Sequence, residues 1–249
     1  MDTQHARKGL PYLLSAAQSQ VQKRGLFPLL GDVWTLGSGY LRHRVLRKGT
    51  TFVLDGRTYP TLRHTYNVTW DTEHAVEIPL AWSYVRQYAG QRVLEVGNVL
   101  SHYHPIEHDI VDKYEQLPGI INVDVVDFDP DYRYDLIVSI STLEHVGWDE
   151  VPRDPLKVGR ALAHLRGLLA PGGLLLVTIP VGYNPHLDIQ FAEGMIPLDE
   201  TYFMKRISHD ADWVEVQRAE VQGLRFGIPF RCANGLIIGM TRAPRIESA

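Results

Sequence analysis

Cysteine is nearly missing from this chain: Cys232 is the only one in 249 residues. An intramolecular disulfide is therefore impossible, and so is a structural zinc site built on several thiolates. No apolar run approaches the roughly 20 residues that a bilayer demands. The opening stretch Met1-Asp-Thr-Gln-His-Ala-Arg-Lys8 has no apolar core of the signal-peptide kind. A protein that is neither exported nor membrane-spanning, residing in a reducing cytoplasm, is expected. Excess charge is scarce as well, because 25 Lys and Arg against 29 Asp and Glu leave a formal net charge of −4. Without an overall cationic field there is little to grip nucleic acid, and a small-molecule partner is favoured. Repeats and low-complexity tracts are absent. What is present is 45% hydrophobic residues with 22% charged ones, enough for one sizeable soluble core with an appendage.

The beginning of the chain reads differently from the rest. Before residue 50, Arg7, Lys8, Lys23, Arg24, Arg42, Arg44, Arg47 and Lys48 face only Asp2 and Asp32, so this arm is locally basic. Gly31-Asp-Val-Trp-Thr-Leu-Gly-Ser-Gly39 is loop-like, and Asp55-Gly56 between strand formers signals a two-residue hairpin over 51–59. Residues 1–70 read as a helix, a loop and a hairpin: a cap that completes the core or a lid over a site. A helix is expected over 71–88, with Asp71 as N-cap, Gly90 as stop and Pro79 kinking or dividing it.

From residue 71 to 249 strands and helices alternate. Strands are expected at 92–96, 109–112, 121–124, 134–140, 173–179, 212–218 and 233–240, with helices near 155–169 and 199–209. Leu162, Leu165 and Leu169 form an apolar stripe on the former. Such alternation specifies an α/β fold whose mostly parallel, seven-stranded sheet carries helices on both faces. Arg92-Val-Leu-Glu-Val-Gly-Asn98 is a buried strand that ends in an acid and runs into a glycine turn, and apolar runs ending in acids return at Asp112 and Asp124. Polar groups are thus delivered to the carboxyl edge of a parallel sheet, where ligands of open α/β folds bind.

Four segments in order carry a family resemblance. They are Val93-Leu-Glu-Val-Gly97, the acid Asp112 some 17 residues past Glu95, Tyr134-Asp-Leu-Ile-Val-Ser-Ile-Ser-Thr-Leu-Glu-His-Val146, and Leu168-Leu-Ala-Pro-Gly-Gly-Leu-Leu-Leu-Val-Thr-Ile-Pro180. Over roughly residues 72 to 241 the chain resembles the class I, Rossmann-like S-adenosylmethionine-dependent methyltransferases. The resemblance implies S-adenosyl-L-methionine as cofactor and methyl transfer to oxygen or nitrogen of a small acceptor, such as a sugar derivative or secondary metabolite. Family members commonly carry further glycines where this chain has Val99 and Ser101. A dinucleotide would need those glycines to seat a pyrophosphate, whereas a sulfonium cofactor has no phosphate to cradle.

The candidate cofactor residues are Glu95, Gly97, Asn98, Asp112, Lys113, Asp124, Val125 and Ser141. Asp112 is placed to accept both ribose hydroxyls, or alternatively caps the next turn. Asp124 with the backbone of Val125 sits where an adenine amino group is met, Asp127 being its competitor. Glu95 orients the glycine turn or meets the methionine amino group. His145 is the catalytic candidate, since an imidazole with a pKa near 6.5 takes a proton at neutral pH; stacking on adenine or capping a helix is the alternative. Tyr103, Tyr183, Asn184 and His186 are candidate acceptor contacts, and Tyr66, His64 and Trp70 are either an opposite wall or packing. His102, His104 and His108 are close in sequence but lack helical i, i+4 spacing, so no metal is expected. Two rival readings stand: an RNA or protein methyltransferase docking through the basic arm, and a non-catalytic nucleoside- or partner-binding module.

Overall fold

A computed structural model describes residues 50–196 and 198–245, which fall in one compact unit, Gly49–Ala249. The basic arm, the glycine-punctuated stretch 31–39 and the helix expected with them lie outside the described residues. The strands are β1 (Thr51–Leu54), β2 (Arg57–Pro60), β3 (Val93–Val96), β4 (Asp109–Val111), β5 (Ile120–Ile121), β6 (Tyr134–Ile140), β7 (Leu169–Pro180), β8 (Glu200–Arg206), β9 (Trp213–Val216) and β10 (Gly235–Arg242). The helices are α1 (His74–Gln87), α2 (Lys157–Gly167), α3 (Pro185–Ala192) and the single turn α4 (Arg218–Val221).

β1 and β2 form the hairpin expected around Asp55-Gly56, where both turn residues take positive φ. The remaining eight strands form one sheet in the order β5-β4-β3-β6-β7-β10-β8-β9. β5 through β7 run parallel, and β10, β8 and β9 are added antiparallel. The sheet therefore has one strand more than expected. Residues 199–209 read as helix, but Thr201-Tyr202-Phe203-Met204 is rich in β-formers and pairs with β10 on one side and β9 on the other.

Side-chain alternation divides the core in two. Val93, Leu136, Val138, Leu174, Leu176, Leu236 and Ile238 face α1 and the hairpin residues Phe52 and Leu54. Their neighbours Leu94, Ile137, Leu175, Val177 and Ile237 face Leu162 and Leu165 of α2. Both faces are covered, which is why the central strands read as continuous apolar runs. Leu169, expected on the α2 stripe, instead opens β7.

The first helix corrects two expectations. Asp71 does not cap it; that residue ends a 3₁₀ segment, Tyr66–Asp71, and its carboxylate accepts from Arg206 Nη2 at 2.7 Å. Pro79 does not divide it either. A proline has no N–H for the carbonyl four residues back, and here that carbonyl, of Ala75, is met from outside by the N–H of Leu62 at 2.8 Å. The helix runs on unbroken.

Candidate functional site

The carboxyl ends of β3, β4 and β6 open into a cleft enclosing about 760 Å³ of empty space, its open mouth included. Apolar walls come from Val96, Val111, Val123, Val125 and Val146. Polar groups come from Gly97, Asn98, Asp112, Lys113, Asp124, Ser141, Thr142, His145 and Glu150. Of the residues expected to hold a cofactor, only Glu95 is not in the lining.

Glu95 lies beneath the floor, fully buried. Its Oε1 accepts the N–H groups of Val99 and Leu100 at 2.8 and 2.7 Å, and Oε2 lies 3.0 Å from His108 Nε2. Both carboxylate oxygens are thus committed to shaping the turn. Gly97 turns there with φ +84°, and a Cβ on it would stand 2.2 Å from Thr142 Oγ1. Only glycine fits both the left-handed backbone and the approach of the β6 loop. These two anchors bring the β3 and β6 turns together, as an edge site requires.

Asp112 accepts from three backbone N–H groups: Tyr114 and Glu115 at 2.8 Å each through Oδ1, and Asn98 at 3.1 Å through Oδ2. It caps the turn and borders the cleft at once, and Oδ2 keeps acceptor capacity for a ligand hydroxyl. Asp124 follows a strand that stops at Ile121, because Asn122 leaves the ladder to donate to the carbonyls of Asp112 and Glu115. Asp124 lines the cleft and Asp127 does not. Lys113 and Lys157 meet Asp124 Oδ2 at 2.8 and 2.5 Å, and both also reach Glu150, at 3.0 and 2.6 Å. Burial raises the Asp124 carboxyl, but the hydrogen bonds from the two lysines outweigh it and hold the pKa below its ordinary value. Sequence reasoning missed Glu150, which lines the cleft, and Lys157, which holds Glu150 and Asp124 from behind it; a lysine opening a helix beside apolar Val158 gave no sign of that role.

The far end of the cleft is chemically different. Ser141 takes φ +41°, uncommon for a residue other than glycine, and its hydroxyl lies 2.6 Å from Glu77 Oε1. His145 Nδ1 is 2.5 Å from Asp149 Oδ2, an oxygen that also accepts from Tyr183 Oη at 2.8 Å. With Nδ1 carrying the proton toward Asp149, Nε2 is left as an acceptor. The rings of His145 and Tyr183 meet edge-on at 4.5 Å. Burial raises the Asp149 carboxyl, yet the hydrogen bonds from His145 and Tyr183 hold it below the usual range.

The other expected acceptor contacts scatter. Asn184 is the N-cap of α3: Oδ1 accepts from His186 and Leu187, and Nδ2 donates to the Glu144 carbonyl at 3.0 Å. His186 is exposed and packs on Trp148 at 5.5 Å. Neither lines the cleft. Tyr103 belongs to an aromatic cluster with Tyr66, His64 and His74. His102 stacks on Tyr66 at 4.4 Å, His104 on Trp82 at 4.0 Å, and His108 holds Glu95, so the three histidines part ways. Among the described residues no group of three or more His, Cys, Asp or Glu is placed to hold a metal ion, and no helix is long and apolar enough to cross a membrane.

Comparison with known proteins finds no matching family model and no matching curated protein. Solved structures do show a distant likeness. The N-methyltransferase NodS from Bradyrhizobium japonicum WM9, in complex with S-adenosyl-L-homocysteine, shares 14% identity at a TM-score of 0.41, over 66% of this chain and 85% of that one. The 1,6-didemethyltoxoflavin-N1-methyltransferase of Burkholderia thailandensis shares 12% at 0.40, over 78% and 98%. The amino pentose methyltransferase CalS10 from Micromonospora echinaspora shares 19% at 0.30, over 41% and 48%. Likeness this weak carries no weight for function, which rests on the cleft itself.

Proposed function

We propose that this chain is an S-adenosylmethionine-dependent methyltransferase acting on oxygen or nitrogen of a small-molecule acceptor. One observation supports the reading above all: a single cleft at the carboxyl edge of the parallel strands joins a nucleoside-shaped half to a half equipped for proton transfer. In the first half the valine walls accept a flat base, Asp112 offers a carboxylate oxygen to a ribose, and the Asp124 carboxylate is held ionised beside Lys113. In the second half His145, oriented by Asp149, lines the cleft, with Nε2 3.6 Å from Glu144 Oε1.

S-adenosylmethionine supplies, when bound, a sulfonium methyl open to in-line displacement. The chain's contribution is positioning and one proton transfer. The Gly97 turn, stiffened by Glu95, supplies backbone groups to the methionine end. His145 takes the proton when the acceptor must lose one. Calorimetric titration with S-adenosylhomocysteine tests the reading: saturable one-to-one binding is expected, with no binding of NAD. A protein that binds neither S-adenosylhomocysteine nor S-adenosylmethionine is a non-catalytic module.

A further inference from the structure

Behind the His145 end of the cleft lies a group of buried carboxyls that cofactor binding does not use. Glu73 at the N-cap of α1 and Glu77 on its first turn are 7% and 0% exposed, and Glu144, one residue before His145, is 1% exposed. Glu77 is satisfied by His74 Nδ1 at 3.1 Å and by the Ser141 hydroxyl, and Glu73 accepts the Ala233 N–H at 3.0 Å. Glu144 is not: its Oε2 is buried with no hydrogen-bond partner, while Oε1 lies 3.6 Å from His145 Nε2. Among the described residues no lysine or arginine pairs with any of the three, although Asp124 and Glu150 at the other end of the cleft are paired with Lys113 and Lys157.

Leaving a buried carboxyl oxygen unmet costs about 1–3 kcal/mol, so a group that meets it on binding is stabilising. Burial foremost, then the charges of Glu77, Glu73 and Asp149, push the Glu144 carboxyl well above its ordinary range. A cation brought alongside would relieve that penalty, whereas a neutral hydroxyl would not. An independent feature points the same way. The ring of Tyr103 lies 6.4 Å from His74, which is bonded to Glu77, and Tyr66 meets Tyr103 edge-on at 5.6 Å. Carboxylates beside aromatic faces are how proteins hold ammonium groups.

We infer that Glu144, with Glu77 and the Tyr103 ring beside His74, forms the acceptor subsite and that the acceptor is an ammonium-bearing amine, methylated on nitrogen. The inference rests on the methyltransferase reading and narrows it. The ammonium is held at Glu144 Oε2 and passes one N–H proton to His145 Nε2. The electron pair of that bond stays on nitrogen and forms the new N–CH₃ bond. The S–CH₃ bond breaks with its pair remaining on sulfur, so the sulfonium becomes a neutral thioether and the methylated amine carries the positive charge.

Saturation-transfer NMR in the presence of S-adenosylhomocysteine tests it with methylammonium and tetramethylammonium against methanol and tert-butanol, their neutral counterparts. Both cations are expected to bind about tenfold more tightly than the alcohols, a difference of about 1.4 kcal/mol. Glu144→Gln is expected to abolish that preference without a matching fall in S-adenosylhomocysteine affinity. Equal binding of cations and alcohols, or no saturable cation binding to the wild-type protein, overturns the amine assignment and leaves the methyltransferase reading standing. Loss of S-adenosylhomocysteine binding with the cation preference intact overturns the methyltransferase reading instead. The wild-type comparison needs no variant to fold.

Discussion

Gly97→Ala separates two demands that one residue meets. The backbone there has φ +84°, which costs an alanine about 1–2 kcal/mol. The new methyl would also stand 2.2 Å from Thr142 Oγ1, 2.7 Å from Cγ2 and 2.9 Å from Cβ. Forcing a methyl into so closed a space costs about 1–3 kcal/mol. The sum, about 2–5 kcal/mol, corresponds to a fall of roughly 4–20 °C in Tm for a chain of this size. Because the strain sits in the turn between β3 and the cleft, cofactor binding is expected to weaken at least as much. Thr142→Gly removes all three clashing atoms and leaves the φ cost. Gly97→Ala in that background is therefore expected to lose only about 1–2 kcal/mol, a coupling read from a double-mutant cycle by differential scanning fluorimetry and calorimetry with S-adenosylhomocysteine. Equal losses in the two backgrounds would refute the steric half of the argument, and a wild-type Tm for the single variant would refute both halves.

Two other perturbations test the frame around the cleft. Arg206 is wholly buried and donates to the carbonyls of Asp71, Ser208, His209 and Arg231 and to Asp71 Oδ1. Arg206→Met is expected to cost about 3–5 kcal/mol in denaturant unfolding, since it strands these acceptors, and an unchanged midpoint would contradict that. Burial pushes the Asp188 carboxyl up to about 6, against the Gly182 N–H that it accepts. A raised carboxyl pKa leaves stability untouched below the unfolded pKa near 3.8; the cost grows between pH 4 and 6 and is full above. Asp188→Asn is accordingly expected to stabilise the protein by about 1–2 kcal/mol at pH 8, after allowance for solvent screening, and not at pH 4. Equal shifts at both pH values, in thermal melts, would count against a buried titrating carboxyl.

The sequence was most readable where one constraint acts at a time. Val93–Gly97, Tyr134–Ile140 and Gly235–Arg242 are apolar runs bounded by turn residues, and each became a central strand. The edge delivery of Gly97, Asn98, Asp112, Lys113, Asp124, Val125, Ser141 and His145 to one cleft was legible for the same reason, because a parallel sheet puts every strand's carboxyl end on one side. Residues 200–206 were misread because their strand state is decided by the open edges of β10 and β9, which are distant in sequence. Pro79 does not divide its helix, and the N–H that meets the carbonyl it leaves free comes from Leu62, which is distant in sequence. Glu77 and Glu144 left a faint signal, a lone acid in Ala-Val-Glu-Ile and another in Thr-Leu-Glu-His. That Glu77 meets Ser141 and that Glu144 Oε2 is buried without a partner emerges only when α1 and the β6 turn are brought together.

The most direct measurement is a crystal structure of the protein grown with S-adenosylhomocysteine. The account predicts the adenine between the valine side chains of the cleft, the ribose hydroxyls on Asp112, and the sulfur at the end shared by Gly97 and His145. A ligand seated elsewhere, or a cleft filled by the protein's own side chains with no room for it, would contradict the account.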